Sequence, residues 1–453
     1  MNFVEYIKKM QKKYRVSNSE ILEELQKNNI PADKSSISRK LNGERPISED
    51  EFSAILNVLN LPTAELQELR QLYKIYCIGE ERYKDIQCMK MFVERFNEET
   101  IPYIPDRKLN PAQVKAISDH HSLGSLLFSV LETAWGVSKI QIICQPEYRA
   151  LADICIRHTL AHGTTEIEQI VCFNNSENCE NNTYNIRGIK TLCDVVMYNN
   201  QHRIRYYYDD VQAHINAFSL YPFMVIAGEY VVLISENFEA GHCFHDMDFV
   251  KSATERFETM FESAQPLFEE IHNDLEYLKI SMELEQNTFK EFYTLQFHPC
   301  VLFEGSLEYA QRKIKESFPY KDEMVRLYVE RISQFNNCTS YHIYSQDGMK
   351  DFLATGRTLD LSEELFHPLD EEERKSIAEH FKVSAPNKSG YAVPSNELKI
   401  PPALTIACYD NGNVIIGFKN PNFAGYRWIM KERSIWKSMM TFLRFLRDEL
   451  END

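Results

Sequence analysis

Ser35-Ser36-Ile37-Ser38-Arg39-Lys40-Leu41-Asn42-Gly43 is a short helix with two unlike faces. Ile37 and Leu41 are four residues apart, so their side chains stack on one side and require burial. The other side carries short hydroxyls and long cations: Ser35, Ser36, Ser38, Arg39 and, one residue earlier, Lys34. Asp33 or Lys34 precedes the helix. Asn42-Gly43 closes it, since glycine suits the left-handed residue that follows a helix.

The flanking sequence builds a bundle around this helix. Upstream, Phe3, Ile7, Met10 and Tyr14 form an apolar stripe at helical spacing, with Lys8, Lys9, Lys12 and Lys13 on the wet face. Ser17-Asn18-Ser19-Glu20 is a capping box, in which the Ser hydroxyl and the Glu carboxylate satisfy each other's backbone amides. The helix it opens runs through Ile21, Leu22 and Leu25 and stops at Asn28-Asn29-Ile30-Pro31. Downstream, Ser48-Glu49-Asp50-Glu51 is a second capping box, opening a helix with Phe52, Ile55, Leu56 and Leu59 inward. Leu61-Pro62-Thr63 breaks it, and a fifth helix carries Leu66, Leu69 and Leu72. Residues 1–76 therefore read as an all-α bundle of five short helices.

The run Ser36-Ile37-Ser38-Arg39-Lys40-Leu41-Asn42-Gly43-Glu44-Arg45-Pro46, with Leu59-Asn60-Leu61 and the helix lengths around them, resembles the signature of Cro/C1-type (XRE-like) helix-turn-helix regulators. The resemblance is confined to residues 1–76. The link from Leu25 to Ile37 is longer than is usual there, with Pro31-Ala32-Asp33 as the added material. The resemblance implies a recognition helix in the major groove of duplex DNA, in a homodimer on two half-sites. The chemistry agrees, because such a helix sets its N-terminal residues against base edges. Lys34, Ser35, Ser36, Ser38 and Arg39 are the candidates, with Arg39 suited to a bidentate contact with guanine. Asn18 and Ser19 open the preceding helix, where amides and dipole favour a phosphate. Lys40 and Arg45 are further phosphate candidates.

Composition sets bounds on the rest of the 453 residues. Hydrophobic residues make up 43%, enough for packed cores, and the net charge is −17. A chain that coated nucleic acid along its length would need an excess of Lys and Arg. Residues 1–46 hold 10 Lys+Arg against 6 Asp+Glu, so positive charge gathers at the end with the recognition helix. The acidic remainder discourages indiscriminate DNA binding. Eleven scattered cysteines without a C-x-x-C pair match a reducing compartment. The N-terminus lacks the basic-then-apolar pattern of a signal peptide, and no stretch approaches a membrane span. The expected location is cytoplasmic, so Asn181-Asn182-Thr183 is not read as a glycosylation site.

Beyond residue 76 the expected architecture is multidomain, a large α/β region after the helical bundle. Residues 77–110 read as a connecting helix and linker, 111–275 as a first α/β lobe and 276–453 as a second. In the first lobe, strands at Lys139–Cys144, Ile167–Phe173 and Arg203–Tyr208 alternate with helices at Tyr148–Ala161 and Ile186–Met197, which predicts a mainly parallel sheet. Gly228-Glu229 joins two strands as a hairpin before a helix over Phe249–Ala264. In the second lobe, Leu278–Phe292 reads as helix, Val301-Leu302-Phe303 and Ser340–Tyr344 as strands, and Asp347–Leu353 and Asp370–His380 as helices. Asn411-Gly412 marks a hairpin. A last helix carries Ile435, Met439, Phe442, Leu443, Leu446 and Leu450, a stripe that docks on the sheet or forms a dimer contact. Both halves end in a hairpin and a long amphipathic helix, so two related lobes are expected.

Few residues in this region recommend chemistry. His242-Cys243-Phe244-His245-Asp246 with Asp248 holds metal-ligand types, but at no standard zinc spacing, and a loop capping a helix explains it as well. Arg203-Ile204-Arg205-Tyr206-Tyr207-Tyr208 mixes cations and aromatics able to meet bases or an anion, or simply alternates between core and solvent. His380-Phe381-Lys382 echoes the paired His-x-Lys of phospholipase D, but Asn387 stands where Asp is required and no second copy exists. Phosphate-loop, dinucleotide, nucleophile-elbow and metalloprotease motifs are absent. The expected function is a sequence-specific DNA-binding transcriptional regulator without catalytic residues, metal or cofactor. Its acidic region answers to a small-molecule, peptide or protein effector. An enzyme targeted to DNA and an antitoxin-like interaction module are the alternatives.

Overall fold

The computed structural model describes residues 1–97, 104–105, 107–174, 183–209, 211, 220–286, 290–300, 306–335, 339–358, 363–382, 388–418 and 426–452. They fall into two compact units, Met1–Lys84 and Asp85–Asp453. The first is all-α: α1 (Phe3–Tyr14), α2 (Asn18–Lys27), α3 (Lys34–Leu41), α4 (Glu49–Leu59) and α5 (Thr63–Ile78). Capping boxes open α1 from Asn2, α2 from Ser17 and α4 from Ser48. Phe3, Ile7, Met10, Ile21, Leu25, Ile37, Leu41, Phe52, Ile55, Leu59 and Leu69 form one core. The stretch from residue 77 is not one helix. Gly79, with φ +92°, separates α5 from α6 (Glu80–Arg95).

The second unit is α/β and contains two sheets. The first lobe runs β1 (Ala116–Ile117), α7 (His120–Ala134), β2 (Ile140–Ile143), α8 (Arg149–His162), β3 (Ile167–Asn174), α9 (Thr183–Tyr198), β4 (His202–Asp209), β5 (Phe223–Ala227), β6 (Tyr230–Ile234), β7 (Gly241–Phe244), α10 (Met247–Ser263) and β8 (Gln265–Pro266). The second runs β9 (Glu269–Ile271), α11 (Asp274–Gln286), β10 (Glu291–Gln296), α12 (Leu307–Lys313), α13 (Lys321–Phe335), β11 (Thr339–Ser345), α14 (Gln346–Thr355), α15 (Glu371–Lys382), β12 (Lys388–Val393), β13 (Leu404–Tyr409), β14 (Val414–Phe418), β15 (Tyr426–Met430) and α16 (Arg433–Asn452).

The two lobes share one topology. Strand order is β7-β6-β5-β2-β3-β4 in the first and β15-β14-β13-β10-β11-β12 in the second. In each, three strands are parallel and the fourth, fifth and sixth turn back as an antiparallel meander. A short strand seals the meander edge, β1 beside β7 and β9 beside β15. The sheets are therefore mixed rather than mainly parallel, because the hairpins at Gly228-Glu229 and Asn411-Gly412 are antiparallel.

Helices cover both faces of each sheet. Ile140, Ile142, Val225 and Val232 pack under α7 and α8, while Ile170, Ile226 and Val231 pack under Phe257 and Phe261 of α10. In the second lobe Phe292, Tyr409, Ile415 and Ile429 meet Tyr277 of α11. On that sheet α16 contacts β10, β12 and β13, and its Ile435, Met439, Phe442 and Leu443 are buried. The last helix thus docks its apolar stripe on its own sheet, and it also contacts α9 of the first lobe.

Two readings of the second lobe need correction. Leu278–Phe292 is not one helix, since α11 ends at Gln286 and Glu291–Gln296 is the central strand β10. No glycine or proline marks that boundary, and the apolar run suits either element. Strands β12 and β15 carry no strong alternation and were not expected. Val301-Leu302-Phe303 and Asn387 lie outside the described residues.

Two features place the second lobe under strict packing control. Arg331 of α13 and Glu285 of α11 form an ion pair at 3.1 Å with both side chains 1% exposed, and Tyr409 donates to Glu285 at 3.2 Å. Gly348 in α14 lies so close to the loop after β10 that a Cβ would sit 1.7 Å from the Phe297 carbonyl oxygen. Glu285→Ala strands a buried guanidinium and is expected to cost about 3–5 kcal/mol. Gly348→Ala is expected to cost at least about 1–3 kcal/mol through overpacking. Chemical denaturation of the full chain checks both, and an unfolding midpoint unchanged by either variant would contradict this packing.

Candidate nucleic-acid interface

The candidate site is built on α2 and α3. Ser17 accepts from the Glu20 amide and Glu20 accepts from the Ser17 amide at 2.6 Å, which fixes where α2 begins. Asn28 and Asn29 end α2, with Asn29 at φ +59° and the Ile30 amide returning to the Leu25 carbonyl at 2.8 Å. The longer link then places Ile30 and Ala32 against the core. Its added residues are anchored rather than looped out. Asp33 caps α3, accepting from the Ser36 amide at 2.7 Å.

The predicted residues divide by what they touch. Ile37 and Leu41 are buried, while Lys34, Ser35, Ser38 and Arg39 are exposed on α3. Ser36 is half-buried, its amide taken by Asp33. Asn18 and Ser19 are exposed at the start of α2, where Asn18 accepts from the Gln11 side chain at 2.9 Å. Arg45 is exposed beyond α3. Lys40 has a different role. Its ammonium lies 2.5 and 2.6 Å from the Glu51 carboxylate oxygens, tying α3 to α4. That pair is partly shielded, with side chains 22% and 7% exposed, so the Lys40 ammonium is engaged by the scaffold.

The structure adds one cation. Lys8 of α1 donates to the Asn42 side chain at 2.8 Å, which brings it beside the C-terminal end of α3. Helical periodicity places Lys8 on the wet face of α1, but only packing puts it next to α3. Behind this surface, Tyr73 and Tyr76 of α5 clamp the segment after α3. The Tyr73 hydroxyl donates to the Ile47 carbonyl and the Ile47 amide donates to the Tyr76 hydroxyl, each at 3.2 Å. Tyr73 also stacks on Phe52 with ring centroids 3.9 Å apart. The exposed row on α3 is thus held from three sides. A row of this kind can offer hydroxyl and guanidinium donors to base edges, and Lys8, Lys34 and Arg45 can neutralise phosphates.

Elsewhere, the other candidate clusters have structural partners. Asp246 caps α10, accepting from the amides of Asp248 and Phe249 at 3.0 Å each, and His242 and His245 bond to Tyr221 and Glu229. On β4, His202, Ile204 and Tyr206 are buried and Arg203 is exposed, an alternation between core and solvent.

The Lys40–Glu51 pair makes the first unit sensitive to acid. Burial alone raises the Glu51 pKa, but Lys40 and the Ser48 amide outweigh it and hold the carboxyl below its ordinary value of 4.5. A carboxyl with a lowered pKa stabilises the fold above its unfolded value and stops doing so as pH falls through the folded one. Melting of the first unit is therefore expected to weaken as pH drops below about 4.5. Glu51→Gln should flatten that dependence, and a variant with the wild-type profile would remove Glu51 as its source.

No family model matches the chain, and no curated protein matches it. Among solved structures it is similar to TrmBL2, an archaeal chromatin protein with a novel mode of DNA binding: TM-score 0.22 and 12% identity over 50% of this chain and 87% of that one. It is similar also to polyphosphate kinase from Porphyromonas gingivalis, with TM-score 0.22 and 10% identity over 73% of this chain and 54% of that one. A third is phosphatidylserine synthase from Haemophilus influenzae Rd KW20, with TM-score 0.21 and 9% identity over 78% and 89%. Similarity this loose assigns the chain to none of them.

Proposed function

We propose that the first unit binds duplex DNA in the major groove through α3, and that the acidic α/β unit regulates this binding. The carrying observation is the division of α3 into a buried edge, Ile37 and Leu41, and an exposed polar edge, Lys34, Ser35, Ser38 and Arg39. Arg39 forms no ion pair among the described residues, so its guanidinium is available to a base. A helix of eight residues spans few base pairs. Two copies on paired half-sites supply the remaining contacts, and the protein acts as a homodimer. An effector held by the α/β unit shifts DNA affinity only if it prefers one arrangement of that dimer. The reading makes the protein a sequence-specific transcriptional regulator of the Cro/C1 type.

Selection of genomic fragments with the full chain at physiological salt, followed by sequencing, is expected to recover a short palindrome. On that site Arg39→Ala should weaken binding by about 1–3 kcal/mol and relax preference at one base pair. Lys34→Ala should weaken binding evenly across sequences and lower the salt slope by about one. Unchanged affinity after combined loss of Lys34, Ser38 and Arg39, in a protein that still melts normally, would overturn the role of α3.

A further inference from the structure

The two lobes enclose a cleft of about 520 Å³ whose walls come from both sheets. One wall is the outer strand of the first sheet, with Arg203 and Arg205 on β4 and Glu166 just before β3. The other belongs to the second sheet, where Glu270 on β9 is the register partner of Trp428 on β15. Phe268 lies between β8 and β9 on the segment that passes from one sheet to the other, and its ring is 6.2 Å from that of Trp428. The volume is within the usual range for small-molecule sites, and such sites favour an apolar floor with a few fixed polar groups.

The charges in this cleft select the ligand. Arg203 is exposed and meets Glu166 and Glu168 at 2.6 and 2.7 Å. Arg205 uses one nitrogen to bond the carbonyls of Phe261, Glu262 and Ala264 at the end of α10. Its other nitrogens face no acceptor among the described residues. On the opposite wall Glu270 is three-quarters buried, and among the described residues its one ion-pair partner is the His272 ring, at 3.9 Å. Burial lifts its pKa above the ordinary value, and His272 only partly offsets this. A ligand ammonium at Glu270 would relieve that penalty. Among the lining residues the two arginines, Arg203 and Arg205, balance the two carboxylates, Glu166 and Glu270, so the cleft favours neither a pure anion nor a pure cation.

We propose that this cleft binds a zwitterion with a large apolar body, an α-amino acid or a short peptide. The ligand carboxylate pairs with Arg205 and the outer face of Arg203. Its ammonium pairs with Glu270, and its side chain lies on Phe268 and the Trp428 wall. Contact with both lobes lets the ligand bias their relative geometry. The idea of a regulatory α/β unit rests on the proposed function, but the ligand chemistry rests on the cleft alone.

The test titrates the DNA-free full chain with phenylalanine and with the dipeptide Phe-Phe, following heat by calorimetry and emission from the three tryptophans. Saturable binding of one or both is expected, and which of the two binds tighter distinguishes free amino acid from peptide. N-acetylation or C-amidation of the bound probe should each weaken it by roughly tenfold or more, the weight of one charge-assisted contact. Glu270→Gln should reproduce the N-acetylation loss with little change in melting, and the acetylated probe should no longer distinguish it from wild type. Equal binding of blocked and free probes, or no binding of either at millimolar concentration, would overturn the proposal. Binding that leaves affinity for the selected DNA unchanged would support the cleft and count against its regulatory use.

Discussion

The strongest constraint on this molecule is that each sheet is buried on both faces. Three parallel strands need helical crossovers to connect them, and those crossovers must lie on the sheet. The antiparallel meander that follows extends the sheet without adding helices, so one more long helix is required to cover the exposed side. That helix is α10 in the first lobe and α16 in the second. The same solution appears twice, down to the short strand that seals the meander edge. The lobes meet where the second copy's last helix begins. Glu432 accepts from the Ile435 amide at 2.7 Å and from the Tyr208 hydroxyl of the first lobe, and Asn185 donates to Ser434 at 2.9 Å. A helix cap of one lobe is thereby completed by the other.

In the first unit the constraint is local. Ile37 and Leu41 anchor α3 from below, Lys40 ties it sideways to Glu51, and two tyrosines hold the segment that leaves it. Side chains that project from a helix this short keep fixed positions only when the helix itself is rigidly supported. The polar row is held without being used by the scaffold. Its charge contrasts with the rest of the chain, which carries the protein's large negative excess. On the proposed reading, attraction to phosphate would be limited to one end, and the acidic bulk would resist binding along the duplex.

Between the lobes, the segment Gln265–Ile271 belongs to both sheets, pairing with β4 at one end and β15 at the other. The proposed ligand, bound beside it, would touch the strand edges of two separate cores. This makes the cleft a natural place for small binding energies to act on the geometry of a large unit, since packed cores move as bodies rather than deforming.

Much of the first unit was legible in the sequence, because its signals are short-range. Ser17-x-x-Glu20 and Ser48-x-x-Glu51 each close a loop of four residues, and Ile37 and Leu41 need only the helical repeat to share a face. The hairpins at Gly228-Glu229 and Asn411-Gly412 were legible for the same reason, since a tight turn is set by its own residues. The α/β class, the alternation of the first lobe and the likeness of the two halves followed from element order. Tertiary structure alone decided what depends on distant partners. Glu291–Gln296 is a strand because β11 and β13 flank it, not because its residues refuse a helix. Lys40 became a strut because folding placed Glu51 beside it. The cleft joins residues more than 200 positions apart in the chain, Glu166 and Trp428 among them. Local chemistry is written in neighbouring residues, whereas burial and pairing across the chain exist only once the chain has closed on itself.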